Sequence, residues 1–189
     1  MRTFVALPIP AKVLQQIINA TVEMRTTIKD GVRWTPPENL HLTLRFLGES
    51  NLEQLEKLQD QLGQLQELPA FNLNFTKYGV FPAWKRPSAL WLGINKSSDL
   101  ENLAKTIDSM AINVGYRSNK KPFRPHITLA RIKRNPSAAT IEQISQTFRE
   151  KTASPHISSF QACHVVLFQS ILSQEGAKYK ALQTIELER

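Results

Sequence analysis

One tetrapeptide pattern, His-x-Thr-Leu with an apolar residue at x, occurs twice and constrains the fold more than any other feature of the chain. The first copy begins at His41 and the second at His126. Apolar and polar residues alternate around each copy, and this period of two predicts a β-strand with one packed face. Along a strand, residues i and i+2 point to the same face, roughly 6.5–7 Å apart. Each copy therefore presents an imidazole and a hydroxyl on one face and two aliphatic side chains on the other.

The surroundings of the two copies are also alike, which indicates an internal duplication. Each copy follows a helix-like segment and then a proline-containing extended stretch, at residues 32–37 and 120–125. The two histidines are 85 positions apart (126 − 41), which is about half of the 189-residue chain. Because no long linker separates the halves, we expect two lobes of one α+β domain that spans residues 1–189.

Hydrophobic periodicity predicts the remaining elements. We expect strands at residues 3–9, 40–47, 71–75, 88–94, 160–172 and 178–187, and a turn rich in aromatic and basic residues at 78–86. Helices are expected at residues 11–28, along the leucines of 52–65, at 98–115, and around 141–148. Ser50 with Glu53, and Ser98 with Glu101, have the spacing of capping boxes and predict where two of these helices begin.

Composition narrows the class of protein. The formal net charge of +8 and the pI near 9.8 favour a polyanionic partner such as RNA or DNA, with a basic surface kept for solubility as the alternative. The single cysteine, Cys163, excludes an internal disulfide framework, and no Cys/His spacing resembles a zinc site. No apolar run approaches the ~20 residues of a membrane span, and the apolar N-terminal stretch is too short for a signal sequence. We therefore expect a cytoplasmic protein that does not contact membranes.

Two imidazoles and two hydroxyls in one cleft suit chemistry at a phosphodiester. Cleavage next to a ribose hydroxyl requires a base for the nucleophile, an acid for the leaving oxygen, and donors that hold the phosphate oxygens. Histidine serves as acid or base at neutral pH because its unperturbed pKa is about 6.5. The sequence offers no obvious carboxylate cluster for a metal ion, so we expect a reaction without metal or cofactor.

A purely structural role is the usual explanation for a single histidine in a strand. Two identical motifs at matching places in two half-chains favour a functional role instead. The other two histidines lie outside any His-x-Thr pattern: His156 follows a proline, and His164 lies inside a predicted strand. We assign both to structure.

Longer runs of the chain resemble the two-histidine (2H) phosphoesterase superfamily, and most closely its bacterial and archaeal RNA 2′,3′-cyclic phosphodiesterases, also called 2′–5′ RNA ligases. The resemblance covers nearly the whole chain. It lies in RTFVAL at residues 2–7, VRWTPPENLHLTLRFLG at 32–48, GVF at 79–81, LWLG at 90–93, and FRPHITLAR at 123–131.

The resemblance implies two pseudo-symmetric α+β lobes, with antiparallel sheets and outer helices around a central cleft that holds both histidines. It implies hydrolysis of an RNA terminal 2′,3′-cyclic phosphate to a 2′-phosphate without a metal. Carried onto this chain, His41 is the general acid for the leaving 3′ oxygen and His126 is the base that activates water. Thr43 and Thr128 bind the phosphate, and Arg131 adds positive charge.

The alternation does not by itself bring the side chains next to the motifs into the cleft. Strict alternation puts Arg131 on the face opposite His126, so it reaches the cleft only if the strand twists, bulges or ends first. Phe46, Phe123 and Trp34 lie near the motifs in sequence and are candidates to stack a nucleobase, with core packing as the alternative. Alternation places Phe46 on the apolar side of its strand.

Three other functions fit the same residues. They are 2′–5′ ligation of RNA, hydrolysis of another cyclic or 2′–5′ phosphodiester, and RNA binding without chemistry. Intact histidines and threonines in both motifs argue against binding alone, and the concentration of water favours hydrolysis over ligation. We expect a monomer that acts on RNA with a 2′,3′-cyclic phosphate end, such as a tRNA fragment.

Overall fold

The computed structural model describes residues 1–119, 121–150, 155–174 and 176–189. The α-helices separate groups of one to three strands, and a long hairpin ends the chain. The strands are β1 Arg2–Pro8, β2 Val32–Trp34, β3 His41–Glu49, β4 Phe71–Leu73, β5 Phe75–Phe81, β6 Ala89–Ile94, β7 His126–Ile132, β8 Phe160–Ala162, β9 His164–Ser173 and β10 Gly176–Glu186. The α-helices are α1 Ala11–Thr27, α2 Leu52–Gly63, α3 Ser98–Asn113 and α4 Ala138–Glu150.

Eight strands form one antiparallel sheet in which the two motif strands are central neighbours. Its order is β10-β9-β1-β3-β7-β6-β5, with β2 paired to the C-terminal part of β7. Among the described residues, β3 and β7 pair only through Leu42 and Ile127. The sheet therefore consists of two four-stranded halves, one per lobe, joined at the motifs. This arrangement confirms the predicted α+β fold of two lobes around a cleft.

The aliphatic residues of the two motifs lie on the packed face of the sheet. Leu42, Leu44, Ile127 and Leu129 are all buried in the hydrophobic core. Helix α3 packs against β3 and against α2 on this side. The opposite face of both motif strands is consequently left open as the cleft. No helix among the described residues is long and apolar enough to cross a membrane.

Two predicted helix starts are off by one residue. Asn51, not Ser50, caps α2, and it forms a reciprocal capping box with Gln54. The Ser50 hydroxyl instead lies 2.5 Å from the Thr3 hydroxyl in the core. The hydroxyl that the sequence pattern predicts as the helix cap therefore makes a tertiary contact. Helix α3 is capped by Ser97, whose side chain accepts from the Leu100 amide.

The segment expected to form a turn at residues 78–86 is in part a strand. The alternation at 71–75 divides into β4 and β5, and β5 continues through Phe81 in pairing with β6. Gly79 lies opposite Trp91, whose indole occupies the space that a side chain would need. A Cβ at Gly79 would lie 2.7 Å from Trp91 Cε2 and closer still to the outer carbons of the ring.

Both motif strands carry an irregularity at the leucine that ends the motif. The register of β1 with β3 skips Leu44, and the register of β6 with β7 skips Leu129. One extra residue reverses the alternation of the side chains that follow it, up to the next irregularity, which in β3 comes at Leu47. Phe46 and Arg131, each five residues after the motif histidine, therefore emerge on the same face as the histidines.

This reversal corrects one prediction and resolves another. Phe46 does not lie on the packed face; it is 60% exposed. Arg131 does reach the cleft, because a bulge precedes it. The reversal also buries Arg45, whose Nε lies 2.8 Å from Asp108 Oδ1 of α3 and whose Nη2 donates to the Arg117 carbonyl. These partners offset the desolvation of the buried guanidinium and connect β3 to the segment that leads into β7.

Candidate active site

Hydrogen bonds hold the imidazole of His41 on both edges of the ring. Its Nδ1 lies 2.8 Å from the backbone carbonyl oxygen of Asn39, and its Nε2 lies 3.0 Å from Thr43 Oγ1. A carbonyl oxygen only accepts, so Nδ1 carries a proton. The neutral ring then accepts at Nε2 from the Thr43 hydroxyl, and the charged ring donates to it.

His126 is held in the same way by its own lobe. Its Nδ1 lies 2.6 Å from the carbonyl oxygen of Arg124, again two residues upstream. The neutral ring therefore has its lone pair at Nε2, where it is able to accept a proton. Antiparallel pairing at Leu42 and Ile127 sets the two motifs in opposite directions, so each histidine lies near the threonine of the other motif.

Aromatic side chains from neighbouring strands surround both imidazoles. Phe4 stacks on His41 at 4.9 Å between ring centroids, and the edge of Tyr179 contacts it at 5.3 Å. Phe81 contacts His126 edge-on at 4.8 Å, with Trp91 at 6.3 Å. These rings restrict the orientation of the imidazoles and exclude water from one side of each.

Burial makes both histidines weaker bases than free imidazole. Desolvation lowers the pKa of His41 to about 4; its hydrogen bond to the Asn39 carbonyl opposes this, and the charge of His126 adds to it. Desolvation also lowers the pKa of His126, opposed by the Arg124 carbonyl and reinforced by the charge of Arg131. In the absence of a ligand, both imidazoles are neutral at pH 7.

Two adjoining cavities meet between the histidines. The first, of about 260 Å³, contains His41 and Thr128, and the second, of about 600 Å³, contains His126. Thr43, Phe46 and Arg131 line both. The border between the cavities is therefore the place where one group contacts both imidazoles, a hydroxyl and a guanidinium. A tetrahedral anion with charged oxygens suits that set of donors.

The five site residues predicted from the sequence lie together here. His41, Thr43, His126, Thr128 and Arg131 all line one cavity or both. The two histidines assigned to structure do not line either cavity. One of them, His164, is the first residue of β9 and pairs with Glu186.

The three candidate stacking residues also line the cleft, in different settings. Trp34 lines the first cavity, where its Nε1 donates to the Ile28 carbonyl over 2.9 Å and Arg25 lies 5.1 Å from its ring centroid. Phe123 lines the second cavity. Phe46 lies on the border and is the most exposed of the three.

Distant strands bring further residues to the site that were not predicted from the sequence. Tyr179 comes from β10 and Phe4 from β1, and only the sheet order places them beside His41. Arg33 lies beside Arg131 because β2 pairs with β7. The one sequence signal for Arg33 is its position in the extended lead to the first motif.

The described residues contain no group of three or more His, Cys, Asp or Glu side chains that could hold a metal ion. The polar side chains of the cleft are instead imidazole, hydroxyl, amide and cationic groups. These groups bind anions and move protons.

Comparison with known proteins places this geometry in a family. The model of LigT-like phosphoesterases matches the chain twice, at residues 7–91 and 92–179, which are its two halves. The RNA 2′,3′-cyclic phosphodiesterase of Archaeoglobus fulgidus is 32% identical over 187 residues, covering 98% of this chain and 100% of the relative. The RNA 2′,3′-cyclic phosphodiesterase of Escherichia coli is 35% identical over 133 residues, 69% of this chain and 71% of the relative.

Solved structures show the same fold over the whole chain. The crystal structure of E. coli LigT in apo form superimposes with a TM-score of 0.79 at 26% identity, covering 100% of this chain and 98% of that one. The structure of E. coli LigT complexed with 3′-AMP gives a TM-score of 0.78 at 26% identity, with the same coverage.

Proposed function

This chain belongs to the LigT-like phosphoesterase family, and from that premise we propose that it hydrolyses the terminal 2′,3′-cyclic phosphate of RNA to a 2′-phosphate. One observation carries the proposal. The repeated motif brings two imidazoles to opposite sides of a gap whose border is lined by Thr43 and Arg131. An in-line displacement at phosphorus needs an acid and a base so placed.

The two histidines divide the proton transfers. His126 Nε2 takes a proton from water as the water oxygen attacks phosphorus. The P–O3′ bond breaks, and His41 Nε2 gives a proton to the departing O3′. The product is a 2′-phosphate monoester with a free 3′-hydroxyl, and exchange of protons with solvent restores both imidazoles.

Three further side chains act on the phosphate oxygens. Thr43 and Thr128 donate hydroxyl hydrogen bonds, and Arg131 supplies the positive charge that the transition state needs. The aromatic rings of the cleft are available to the terminal base, and Phe46 has the most exposed face for stacking.

The lowered pKa values predict an unusual pH dependence. Catalysis requires His41 protonated and His126 neutral. The pH profile of kcat/KM reports the pKa values of the free enzyme. Both the rising and the falling side of this bell-shaped profile should therefore lie below the ordinary histidine pKa of about 6.5. A bound phosphate anion stabilises the imidazolium, so the descending limb of kcat should lie at higher pH than that of kcat/KM. Rates measured from pH 4 to 9 test this, and a kcat/KM that still rises between pH 7 and 8 contradicts it.

Product analysis tests the reaction itself. An oligoribonucleotide with a 2′,3′-cyclic phosphate end should gain one water, with ¹⁸O from labelled water in the phosphate, and should co-elute with the 2′-phosphate standard. The same result is expected in excess chelator, because histidines carry both proton transfers. A 3′-phosphate product, or activity that chelator abolishes and a divalent ion restores, contradicts the mechanism.

Ligation is the second candidate, and the larger cavity favours it. About 600 Å³ beside His126 is far more space than an attacking water needs. A nucleoside 5′-hydroxyl in place of water would give a 2′–5′ linkage by the same proton transfers. A longer product in the presence of a 5′-hydroxyl RNA would reveal it.

We further propose that residues 1–189 act as one bilobal domain and as a monomer. Each lobe supplies one histidine, so the site is complete within one chain. The net charge of +8 supports an RNA partner, of which a cleaved tRNA fragment is an example, and the single cysteine is in keeping with the reducing cytoplasm.

A further inference from the structure

Two arginines face one another at the edge of the site. Arg33 of β2 pairs directly with Arg131 of β7. Directly paired side chains point to the same face, with Cβ atoms about 4.5–5.5 Å apart, and like charges so placed destabilise a sheet. Both arginines are exposed and both line the first cavity. An anion bound between them would be attracted by both guanidinium groups and would offset their mutual repulsion.

The protein itself does not neutralise the pair within this cavity. None of the described residues lining it carries a carboxylate. The hydroxyl-bearing ring of Tyr179 lines the same cavity. Burial raises the pKa of Tyr179, and the charges of Arg131 and Arg33 oppose that rise, so both guanidinium groups act on the phenol. The two guanidinium groups and the neutral Tyr179 hydroxyl thus line the first cavity together.

Arg33 is set apart from the place of reaction. The reacting phosphorus lies where both imidazoles reach it, at the border lined by Thr43 and Arg131. Arg33 pairs with Arg131, five residues along β7 from His126, and it does not line the cavity that contains His126. With Thr43, Thr128 and Arg131 on the cyclic phosphate, Arg33 at the far end of this pairing suits a second anion of the substrate.

We propose that Arg33 and Tyr179 bind the phosphodiester on the 5′ side of the terminal nucleotide, with Arg131 between this anion and the cyclic phosphate. The inference rests on the proposed function, in which O3′ lies beside His41. The ribose then occupies the His41 side of the border, and its 5′ carbon continues into the first cavity towards Arg33. This subsite makes the enzyme prefer the end of an RNA chain to a single nucleoside 2′,3′-cyclic phosphate.

Two dinucleotides test the subsite. Both end in a 2′,3′-cyclic phosphate, and they differ only in the internal linkage, which is a charged phosphodiester in one and a neutral methylphosphonate in the other. Wild-type kcat/KM should be about 10-fold higher for the charged linkage, as for loss of one charged hydrogen bond. Arg33→Gln should reduce this ratio to near one, and Arg33→Lys should keep part of it.

Arg2→Gln is the matched control, because it removes the same charge. Arg2 pairs with Glu49, six residues along β1 from the Pro8–His41 pair, and so lies roughly 20 Å from His41. Its variant should keep the wild-type ratio. Circular dichroism of each variant establishes that it is folded.

A binding measurement separates this proposal from the proposed reaction. Dissociation constants for the matching dinucleotide 3′-monophosphates need no turnover. Preference for the charged linkage that depends on Arg33 would support the subsite even if no cyclic phosphate were hydrolysed. Hydrolysis without preference for either linkage would overturn the subsite and leave the reaction standing. An equal loss for both linkages in Arg33→Gln would also overturn it, since Arg33 would then act at the reacting phosphate.

Discussion

His41→Ala and His126→Ala should each lower the rate of cyclic phosphate hydrolysis about 10²–10⁴-fold, the usual contribution of a general acid or base. Each imidazole is fixed at Nδ1 by a carbonyl of its own lobe and presents Nε2 to the cleft. Alanine removes the proton carrier without disturbing the strand. Single-turnover rates with saturating enzyme measure the chemical step directly.

The double variant distinguishes a joint mechanism from two separate effects. Because the two histidines transfer protons in one displacement, removing both should reduce the rate by less than the product of the single losses. Thr43→Ala should cost less than either histidine, since it removes one hydrogen bond to the phosphate, about 1.5–3 kcal/mol. Thr128→Ala should behave in the same way.

His164→Ala is the matched control for these variants. His164 also begins a strand of the same sheet, but it lies outside both cavities. Its variant should hydrolyse the substrate at close to the wild-type rate. A folded His41→Ala or His126→Ala protein with the parent rate would refute the two-histidine mechanism.

The motif strands were predictable because their signal is local. Alternation over a few residues around His41 and His126 indicates which side chains share a face, and the two identical motifs indicate that the halves are related. The outward-facing imidazoles and the buried Leu42 and Ile127 follow from that period alone.

The bulges were not predictable, because register depends on the partner strand. Nothing in the run from His41 to Phe46 shows that Leu44 will be left out of the register with β1. The skip decides that Phe46 faces the cleft and that Arg45 is buried against Asp108. The equivalent skip at Leu129 gives the site Arg131.

Residues from distant strands were missed for the same reason. Tyr179 reaches His41 only because β10 follows β9, and β9 pairs with β1. Ser50 has the spacing of a helix cap, but its hydroxyl is 2.5 Å from that of Thr3 in the folded protein. In both cases a contact between remote parts of the chain outweighs the local pattern.

Gly79→Ala should lower the free energy of unfolding by about 1–3 kcal/mol, the usual effect of overpacking a fitted core. The new Cβ would fall within the Trp91 indole, which is held between Gly79, Phe81 and His126. The ring is rigid and must move as a whole, so turnover should fall as well, through the displaced His126. Urea unfolding and steady-state rates measure the two effects.

Gly63→Ala is the control for this substitution. Gly63 ends α2 with ordinary helical backbone, and a Cβ added there would meet no neighbouring atom within 4 Å, so alanine at this position should stabilise by about 0.4–1 kcal/mol. Replacing the indole should relieve the clash, and Gly79→Ala should therefore destabilise a Trp91→Leu protein much less than the wild type. An equal loss of stability in both backgrounds would show that the indole is not what excludes a side chain at position 79.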